Sequence, residues 1–524
     1  MRHLNINLRM VAAAAAVVLL GSCSNDWDDH YEKTLPGSEN TIYEMIATNP
    51  DLSLFKEMVD KAGYADELNS TQTYTVWAPV NSALAGVDLT DEALVRRTVL
   101  NHIARFNRST STPASEGVRM LNGKKFRFAG NDFAGVSILS ADNAARNGVL
   151  HTMQSVIPYA YNIREYIDSH SETTELAKFL ARFDEDLFDL ENSKPIDINE
   201  NGETVYDSVK IEFNRLLDYS ITGIGAIANE DSLFTMVIPT NTAWRKSYEE
   251  IKPWFITESD SITEVQTSLA IFSNQIFRSD ITSVPAGAKL ISTTGCEFLD
   301  IPALFSGATF GAASNGSYWI TDELGQSPLE SWNPALEVEA EDNYTRKTDQ
   351  ASKTTSRNMS VLADSEFAEE ISDLSYIYVT STSLSNPKVE FTVENVLSGK
   401  YEIYAYFVPA IVDNPTATDE TTRLKFSMTY PRSPGATRTT TTNFTSNDFV
   451  TSPTEMTVIR VGEVTFPTSH YVDRLRTMTE GYDASADLSP FKFTVETDVK
   501  QAEFNEGTYR RSFRLDRVVL VPVI

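Results

Sequence analysis

Two stretches of the chain repeat the same pattern of apolar residues, and this repeat limits the possible folds more than any other feature. "TIYEMIATNPDLSLFKEMVDKAG" (41–63) aligns with "NIREYIDSHSETTELAKFLARFD" (162–184), which places Ile42 on Ile163. Apolar residues recur at steps of three and four in both stretches. This spacing predicts two short amphipathic helices per copy, each burying one stripe. In the first copy, Gly63 marks the expected end of the second helix.

Two further blocks recur in the same order. "YTVWAPVNSAL" (74–84) matches "FTMVIPTNTAW" (234–244), and each predicts a buried strand that Pro-x-Asn closes. "NGVLHTMQSVIP" (147–158) matches "NGSYWITDELGQSP" (315–328), and each predicts a tight Asn-Gly turn followed by a strand. The sequence therefore predicts a duplicated domain whose second copy carries insertions, the largest of which contains "DINENGETVYDSV" (197–209).

These blocks resemble the fasciclin (FAS1) domain, which opens on a box of the form TVFAPTNxAF and closes on NGxxHxIxxVL. The first copy has His102 in a Leu-Asn-His-Ile motif and His151 in the closing box. In the second copy we expect Asn274 to replace His102, and Trp319 stands in place of His151. The resemblance covers residues 40–328. It implies wedge-shaped α+β domains that act as interaction modules and are not catalytic.

The last third of the chain has a different character. Alternating apolar residues predict strands in 388–409, 424–430, 491–497 and 513–523, and little helix separates them, which is typical of an antiparallel sandwich. The opening "LEVEAED" and the ending "LDRVVLVPV" are similar to the edges of jelly-roll carbohydrate-binding modules of the galactose-binding type. That similarity implies a sugar-binding domain, and a purely structural sandwich is the alternative.

The predicted fold class is therefore α+β, with two fasciclin-like domains, followed by an all-β sandwich. The predicted divisions are a signal peptide (1–22), an acidic tether (23–39), a first fasciclin-like domain (40–159), a diverged second one (160–330) and the sandwich (335–524).

The amino terminus predicts an exported lipoprotein. Val11–Leu20 is an apolar run too short to span a bilayer, and it ends in Leu-Gly-Ser-Cys23, which resembles the bacterial lipobox. The resemblance implies cleavage before Cys23 and its acylation, with lipid of the outer membrane as a partner. An ordinary cleavage site with an incidental thiol is the alternative. The acids that follow Cys23 resemble an export tag for the outer face of the outer membrane, so we expect the protein to face the cell exterior.

Composition excludes some partners and some chemistry. The formal net charge of −29 repels nucleic acid. Of the two cysteines, Cys23 is expected to carry lipid, which leaves Cys296 without a disulfide partner. "DINENG" (197–202) mimics the start of a calcium loop, but Ser208 stands where a bidentate glutamate is required, so a hairpin is expected.

No catalytic, metal or cofactor motif is present, and we expect a protein that is not an enzyme. His102 and His151 lack further ligands at a fixed spacing and are interpreted as packed core residues. Counting does not rule out a carboxylate pair for glycoside hydrolysis, because acidic residues are abundant.

Aromatic residues are the better candidates for a binding site, because sugar rings stack on them. Trp254, beside Lys-Pro, and Trp332, in a linker, are expected to be an exposed pair. Tyr344, Tyr376 and Tyr378 are the corresponding candidates in the sandwich. Core packing is the alternative for each of them.

Three functions are compatible with these features. The first is a surface lipoprotein that captures an oligosaccharide, or a peptide, for a TonB-dependent transporter of the starch-utilisation type and its lipoprotein lid. The second is an adhesin or scaffold that binds host matrix or other proteins through the fasciclin-like domains. The third, an enzyme with an acid pair in the sandwich, is the least favoured.

Overall fold

A computed structural model describes most of the chain. The described residues are 39–111, 116–188, 194–198, 204–207, 210–218, 222–348, 352–358, 366–381, 385–477, 483–484 and 487–524. The predicted signal peptide and Cys23 therefore lie outside the described residues. The chain forms two compact units, of which the first ends at Tyr161 and the second begins at Asn162.

The first unit has the predicted pair of amphipathic helices, and three further helices follow. Its helices are α1 (Ile42–Thr48), α2 (Ser53–Lys61), α3 (Ala65–Asn69), α4 (Asn81–Leu84) and α5 (Glu92–Leu100). Ile42, Phe55 and Val59 are fully buried, which confirms the predicted stripe. Gly63 follows α2 with a φ of +76°, a left-handed conformation that ends a helix at little cost for glycine.

The sheet of the first unit places the opening box (74–84) beside the closing box (147–158). Its strands are β1 (Tyr74–Pro79), β2 (Ile103–Arg105), β3 (Glu116–Arg119), β4 (Lys125–Ala129), β5 (Asp132–Phe133), β6 (Val136–Ala145) and β7 (Gly148–Met153). They are arranged in the order β2-β1-β7-β6-β5-β4-β3. The opening box forms β1 and the closing box forms β7, and the two strands pair in parallel with Tyr74 opposite Gly148.

Both histidines of the first unit are core residues, as predicted. His102 is fully buried, lies 2.8 Å from the carbonyl of Thr98 through Nδ1, and accepts the backbone N–H of Ile157 through Nε2. His151 is also fully buried, and its ring stacks on Trp77 with the centroids 5.5 Å apart. Burial lowers the pKa of His102 to about 4, because the interior disfavours the charged ring.

The second unit begins with a larger version of the same domain. Its helices are α6 (Ile163–Ser169), α7 (Thr174–Ala181), α8 (Asn241–Ile251), α9 (Asp260–Phe272) and α10 (Ile301–Leu304). Its main sheet consists of β12 (Phe234–Pro239), β13 (Ile276–Phe277), β16 (Thr309–Ala313) and β17 (Gly316–Thr321), in the order β13-β12-β17-β16. Strands β12 and β17 pair in parallel with Phe234 opposite Gly316, the register of the first copy.

The Asn-Gly turns have the same structural role in both copies. A Cβ on Gly148 would lie 1.9 Å from the carbonyl oxygen of Tyr74, and a Cβ on Gly316 would lie 1.9 Å from that of Phe234. Only glycine allows this close approach of the two parallel strands. The preceding Asn147 and Asn315 each accept a backbone N–H from the first residue of the first helix, at 2.9 and 3.1 Å.

The register corrects one residue assignment. The backbone N–H of Trp77 donates to the carbonyl of His102, and the N–H of the matching Val237 donates to the carbonyl of Gln275. Gln275 therefore occupies the position of His102, and the prediction that Asn274 replaces it is wrong by one residue. Trp319 lies in β17 opposite Val237, just as His151 lies opposite Trp77, so it takes the place of His151 as predicted; it is also buried.

The inserted segment of the second copy forms two antiparallel strand pairs. These strands are β8 (Asp184–Phe188), β9 (Lys194–Ile198), β10 (Thr204–Asp207) and β11 (Lys210–Asn214). Strand β9 pairs with β10, and β8 pairs with β11. The hairpin turn predicted for 197–202 lies mostly outside the described residues, and the strands on either side of it, β9 and β10, pair antiparallel. A separate short pair joins β14 (Leu290–Ile291) to β15 (Glu297–Phe298).

The carboxy-terminal part is a two-sheet sandwich, as predicted. One sheet contains β18 (Leu336–Glu339), β20 (Ser352–Asn358), β21 (Ser375–Ser381), β23 (Gly399–Phe407), β26 (Thr457–Phe466) and β28 (Ser512–Pro522). The other contains β19 (Arg346–Thr348), β22 (Lys388–Thr392), β24 (Arg423–Pro431), β25 (Thr439–Val450) and β27 (Lys492–Thr497). Two short helices, α11 (Arg474–Thr477) and α12 (Gln501–Asn505), complete the described elements.

The core of the sandwich comes from the alternation seen in the sequence. In β23 every second residue is buried, beginning with Tyr401 and Ile403. The opening and closing strands of the sandwich, β18 and β28, pair with each other, with Leu336 opposite Leu520.

Within the described part of the chain, every helix is too short or too polar to span a bilayer.

Candidate ligand-binding site

The second fasciclin-like domain and the sandwich share a well-packed junction. Ser398, just before β23, donates its N–H to the carbonyl of Trp254 at 2.8 Å and its hydroxyl to the carbonyl of Pro253 at 2.7 Å. Ser469, just after β26, donates its N–H to the carbonyl of Ile256 at 2.7 Å. Two loops of the sandwich thus hold the segment that connects α8 to α9.

Trp254 belongs to this junction and not to an exposed surface. Its partly buried ring packs against Tyr401 at 6.3 Å and against Trp332 at 6.0 Å between centroids. A Cβ on Gly399 would lie 2.5 Å from the indole, so the ring fills the space that glycine leaves. The predicted pair, Trp254 and Trp332, is brought together, but the expectation that both rings are exposed is wrong because they pack on each other.

A cavity of about 670 Å³ opens beside Trp332. Phe255 and Tyr471 complete an aromatic wall: Phe255 lies 6.2 Å from Trp332 and 5.7 Å from Tyr471 between ring centroids. Tyr471 comes from the sandwich, whereas Phe255 comes from the second fasciclin-like domain. Cavities that bind small molecules are commonly of this size and lie at such domain interfaces.

One side of the cavity is formed by a single face of α9 and the turn after it. Gln266, Leu269, Ala270, Ser273 and Asn274 line it, and they recur at helical spacing. Gln266 is only 2% exposed, and its Nε2 donates to the carbonyl of Tyr471 at 2.8 Å. Its Oε1 has no hydrogen-bond partner among the described residues.

The opposite side carries hydroxyl groups and the one described cysteine. Thr294 donates to the Oδ1 of Asn274 at 2.7 Å, and the thiol of Cys296 lies 2.6 Å from the carbonyl of Glu330. Burial, with smaller contributions from Glu330 and Glu297, raises the pKa of Cys296 to about 12. The thiol is therefore protonated at neutral pH.

The charged groups of the wall are all acidic. Glu297, Glu330 and Asp473 line the cavity, and none of its described lining residues is Lys, Arg or His. Glu297 is exposed and forms an ion pair with Lys289 at 2.6 Å. The buried part of the wall is thus neutral, and negative charge lies in its less buried part.

The three candidate tyrosines of the sandwich are not part of this cavity. Tyr344 is fully exposed, and Tyr378 packs beneath Arg514, whose guanidinium lies 4.5 Å from the ring centroid. Tyr376 is only 1% exposed and packs in a small apolar cluster with Ile371. The prediction that the ring of Tyr376 is available to a ligand is therefore wrong, because the sandwich buries it.

A second cavity, of about 520 Å³, lies on the sandwich and is rich in carboxylates. Burial raises the pKa of Glu339 and of Glu341, which line it, and raises that of the neighbouring Asp516 to about 7. Asp516 is fully buried and accepts the N–H of Ser372 at 3.0 Å, so it does not face a substrate. Among the described residues, no group of three or more acidic, His or Cys side chains is placed to hold a metal ion.

Comparison with known proteins agrees with the fold of the first unit. Residues 50–159 match the family described as the fasciclin domain. The chain therefore contains a fasciclin domain over these residues, and the predicted fold class is confirmed. No curated protein matches the chain.

Solved structures that are similar to parts of the chain include a pair of FAS1 domains and carbohydrate-binding modules. A FAS1 domain pair from the insect cell adhesion molecule Fasciclin I is 14% identical over 53% of this chain and 98% of that chain, with a TM-score of 0.20. A xylan-binding CBM22 domain from Paenibacillus barcinonensis is 12% identical over 36% of this chain and 98% of that one, with a TM-score of 0.21. A GH26-CBM35 mannanase from Podospora anserina is 12% identical over 36% of this chain, with a TM-score of 0.19, and only 28% of the mannanase is covered. At these TM-scores the similarity says nothing about ligands.

The sequence did not single out several residues of the cavity. Gln266 lies on the buried face of α9, which also carries Thr263 and Thr267, so a lone glutamine there gives no clear sequence signal. Phe255 and Tyr471 gave no signal either. They are far apart in the chain, and only the fold brings them together.

Proposed function

We propose that the protein is a non-catalytic binding protein that captures an oligosaccharide in the cavity beside Trp332. Anchored in the outer membrane through acylated Cys23 and facing the exterior, it would deliver the sugar to a TonB-dependent transporter and its lipoprotein lid. The observation that carries the proposal is the aromatic wall of the cavity, formed by Phe255, Trp332 and Tyr471. Aromatic faces stack on the apolar faces of sugar rings.

Affinity electrophoresis of the mature protein through gels that contain single polysaccharides tests the binding step. At least one neutral glycan is expected to retard the protein, and Trp332→Ala is expected to abolish the retardation. Tyr344→Ala is the matched control, because Tyr344 is exposed and outside the cavity. The absence of retardation by every glycan of a broad panel would contradict the proposal.

The anchor is tested separately in cells. Metabolic labelling with an alkyne fatty acid is expected to mark the protein and to leave a Cys23→Ala variant unmarked. Added protease is expected to degrade the protein on intact cells. A protein that is not labelled, or that protease does not degrade on intact cells, would contradict the proposed location. The proposed glycan binding would be unaffected by that result.

A second function, adhesion to matrix or other proteins, is favoured by the fasciclin domain itself and by two of its side chains. Phe106 and Leu139 are large apolar residues of the first unit, and each is 57% exposed. Phe106 also has a φ of +70°, an unusual backbone for a bulky residue. This function would be supported if the protein captured matrix proteins and bound no glycan. The variants Phe106→Ser and Leu139→Ser would then be expected to abolish the capture.

A further inference from the structure

One stretch of the first unit is strongly basic, although the chain as a whole is acidic. Residues 93–131 contain eight basic residues and one acidic residue, whereas the formal net charge of the chain is −29. The acidic residue, Glu116, is paired with Arg108 at 3.0 Å. Charges act mainly within a Debye length, about 8 Å at physiological ionic strength, so a local excess of cations attracts anions even on an acidic protein.

Two neighbouring strands place part of this charge on one face. Arg119 in β3 lies opposite Lys125 in β4, and Gly117 lies opposite Arg127. Residues opposite each other in an antiparallel pair share a face, and so do residues two apart in one strand. Arg119, Lys125 and Arg127 therefore lie on the same face of the hairpin.

A third strand extends this face. An antiparallel bridge between Ala104 and Met120 places β2 beside β3. The next pair in that register is Arg105 and Arg119, so Arg105 joins the three cations of the hairpin. The four residues form what we call the basic face: Arg105, Arg119, Lys125 and Arg127.

The core holds the basic face towards solvent. The alternate residues of the same strands, which include Ala104, Val118, Met120 and Phe128, are buried together in one apolar cluster. Because side chains alternate along a strand, this burial turns the cations outwards. The exposed residues of β2, β3 and β4 are the four cations and Gly117.

The arrangement suits a linear chain of anions. Neighbouring strands lie about 4.8 Å apart, and residues i and i+2 of one strand lie about 6.7 Å apart. Three of the four cations are arginines, whose planar guanidinium binds a carboxylate or a sulfate through two parallel N–H donors. Asp132 in β5, opposite Ala129, limits the face on one side.

The exposed residues of these strands also distinguish between polyanions. Proteins that bind anionic membranes combine cations with apolar side chains that insert among the lipids, and those that bind single-stranded nucleic acid stack bases on aromatic rings. The exposed positions of β2, β3 and β4 carry neither kind of side chain. An acidic polysaccharide needs only the cations.

We infer that the basic face binds a linear acidic polysaccharide whose rings carry carboxylate or sulfate groups. The inference concerns the first unit and goes beyond the function proposed for the cavity of the second.

A matched pair of oligosaccharides tests the inference by isothermal titration of the mature protein. Decagalacturonate and its fully methyl-esterified form have the same rings and linkages and differ in charge. Decagalacturonate is expected to bind about tenfold or more tightly than the ester in 50 mM NaCl, and to lose about tenfold or more in affinity in 200 mM NaCl, because salt competes with contacts to a polyanion. A decasaccharide of chondroitin sulfate is the probe for sulfate.

The double variant Arg119→Gln/Arg127→Gln tests the location. It is expected to weaken binding of decagalacturonate about tenfold and to leave the thermal midpoint unchanged, because both side chains are exposed. Lys56→Gln/Lys61→Gln is the matched control, since it removes the same charge from α2 of the same unit, where each lysine is paired within the helix. The control is expected to bind within twofold of the wild type.

Three results would overturn the inference. The first is that neither acidic probe binds, or that the methyl ester binds as tightly as the acid. The second is that the arginine double variant binds like the wild type, or that Trp332→Ala abolishes binding, which would place the acidic sugar in the cavity of the second unit. The third is that phosphatidylglycerol vesicles or poly(U) RNA bind the basic face more tightly than either polysaccharide. Failure of neutral glycans to bind the cavity would contradict the proposed function and leave this inference standing.

Discussion

The indole of Trp254 lies directly against Gly399, so closely that a Cβ on residue 399 would be 2.5 Å from Cζ3 of the ring. This contact is one of those that join the second fasciclin-like domain to the sandwich. We expect Gly399→Ala to lower the free energy of unfolding of the second unit by about 2 kcal/mol, because the ring or the strand must shift. Differential scanning calorimetry of the mature protein measures the loss.

Gly507→Ala is the control for backbone strain alone. Gly507 also has a positive φ, +77°, but nothing lies within 4 Å of its Cβ position. Its variant is expected to lose less stability than Gly399→Ala. Equal losses would mean that the contact with Trp254 contributes nothing measurable.

Trp254 also shows where sequence reasoning is limited. The Lys-Pro pair before it is a local turn signal, and local turns usually leave a ring exposed. The groove that receives the ring is formed by Gly399 and Tyr401, which come from a strand far along the chain. No local sequence pattern contains that information. The ring of Trp254 was therefore expected at the surface, whereas it lies in the junction between the two domains.

The pKa of His102 gives the first unit a predictable response to acid. Burial holds this pKa at about 4, below the ordinary 6.5, so the folded chain keeps the ring neutral while the unfolded chain takes up a proton. Stability from this group is complete above pH 6.5 and is lost as the pH falls towards 4. The loss is expected to reach roughly 3 kcal/mol at its limit.

Gln275 at the same place in the second copy suggests the test variant. His102→Gln keeps a hydrogen-bonding side chain but cannot be protonated in this range, so the difference in stability between pH 7.5 and pH 5 should be smaller than in the wild type. Urea unfolding at the two pH values measures it. A variant with an unchanged pH dependence would show that the ring of His102 does not cause the response.

The repeated boxes were predictable because their constraints are local. Asn-Gly forces a tight turn, and alternating or helical spacing fixes which residues are buried. Both copies were therefore found, together with β22, β23, β24, β27 and β28 of the sandwich. The sequence did not show that Gln275, and not Asn274, takes the position of His102. Only the hydrogen bond from the N–H of Val237 to the carbonyl of Gln275 fixes the register there. The cavity was not predicted either, since Gln266, Phe255 and Tyr471 meet only after the junction forms.

The thiol of Cys296 offers a chemical probe of the cavity. Its pKa of about 12 leaves roughly a thousandfold less thiolate than its ordinary pKa of 9.0 would. Alkylation by iodoacetamide at pH 8 is therefore expected to be far slower in the folded protein than in urea. A bound oligosaccharide should slow the alkylation further, as mass spectrometry over time will measure. Rapid alkylation of the folded protein, unaffected by sugar, would place the thiol outside a ligand-filled space.

The aromatic candidates are expected to separate into two groups by their effect on binding. Trp332 lines the cavity, so Trp332→Ala should weaken binding of the oligosaccharide ligand by tenfold or more, because a stacking surface is lost. Tyr344 and Tyr378 lie elsewhere on the sandwich, where one is fully exposed and the other is covered by Arg514. Tyr344→Ala and Tyr378→Ala should therefore leave the affinity within twofold of the wild type in isothermal titration. The reverse ranking would move the binding site from the junction to the face of the sandwich, and would restore the tyrosines as the residues that contact sugar.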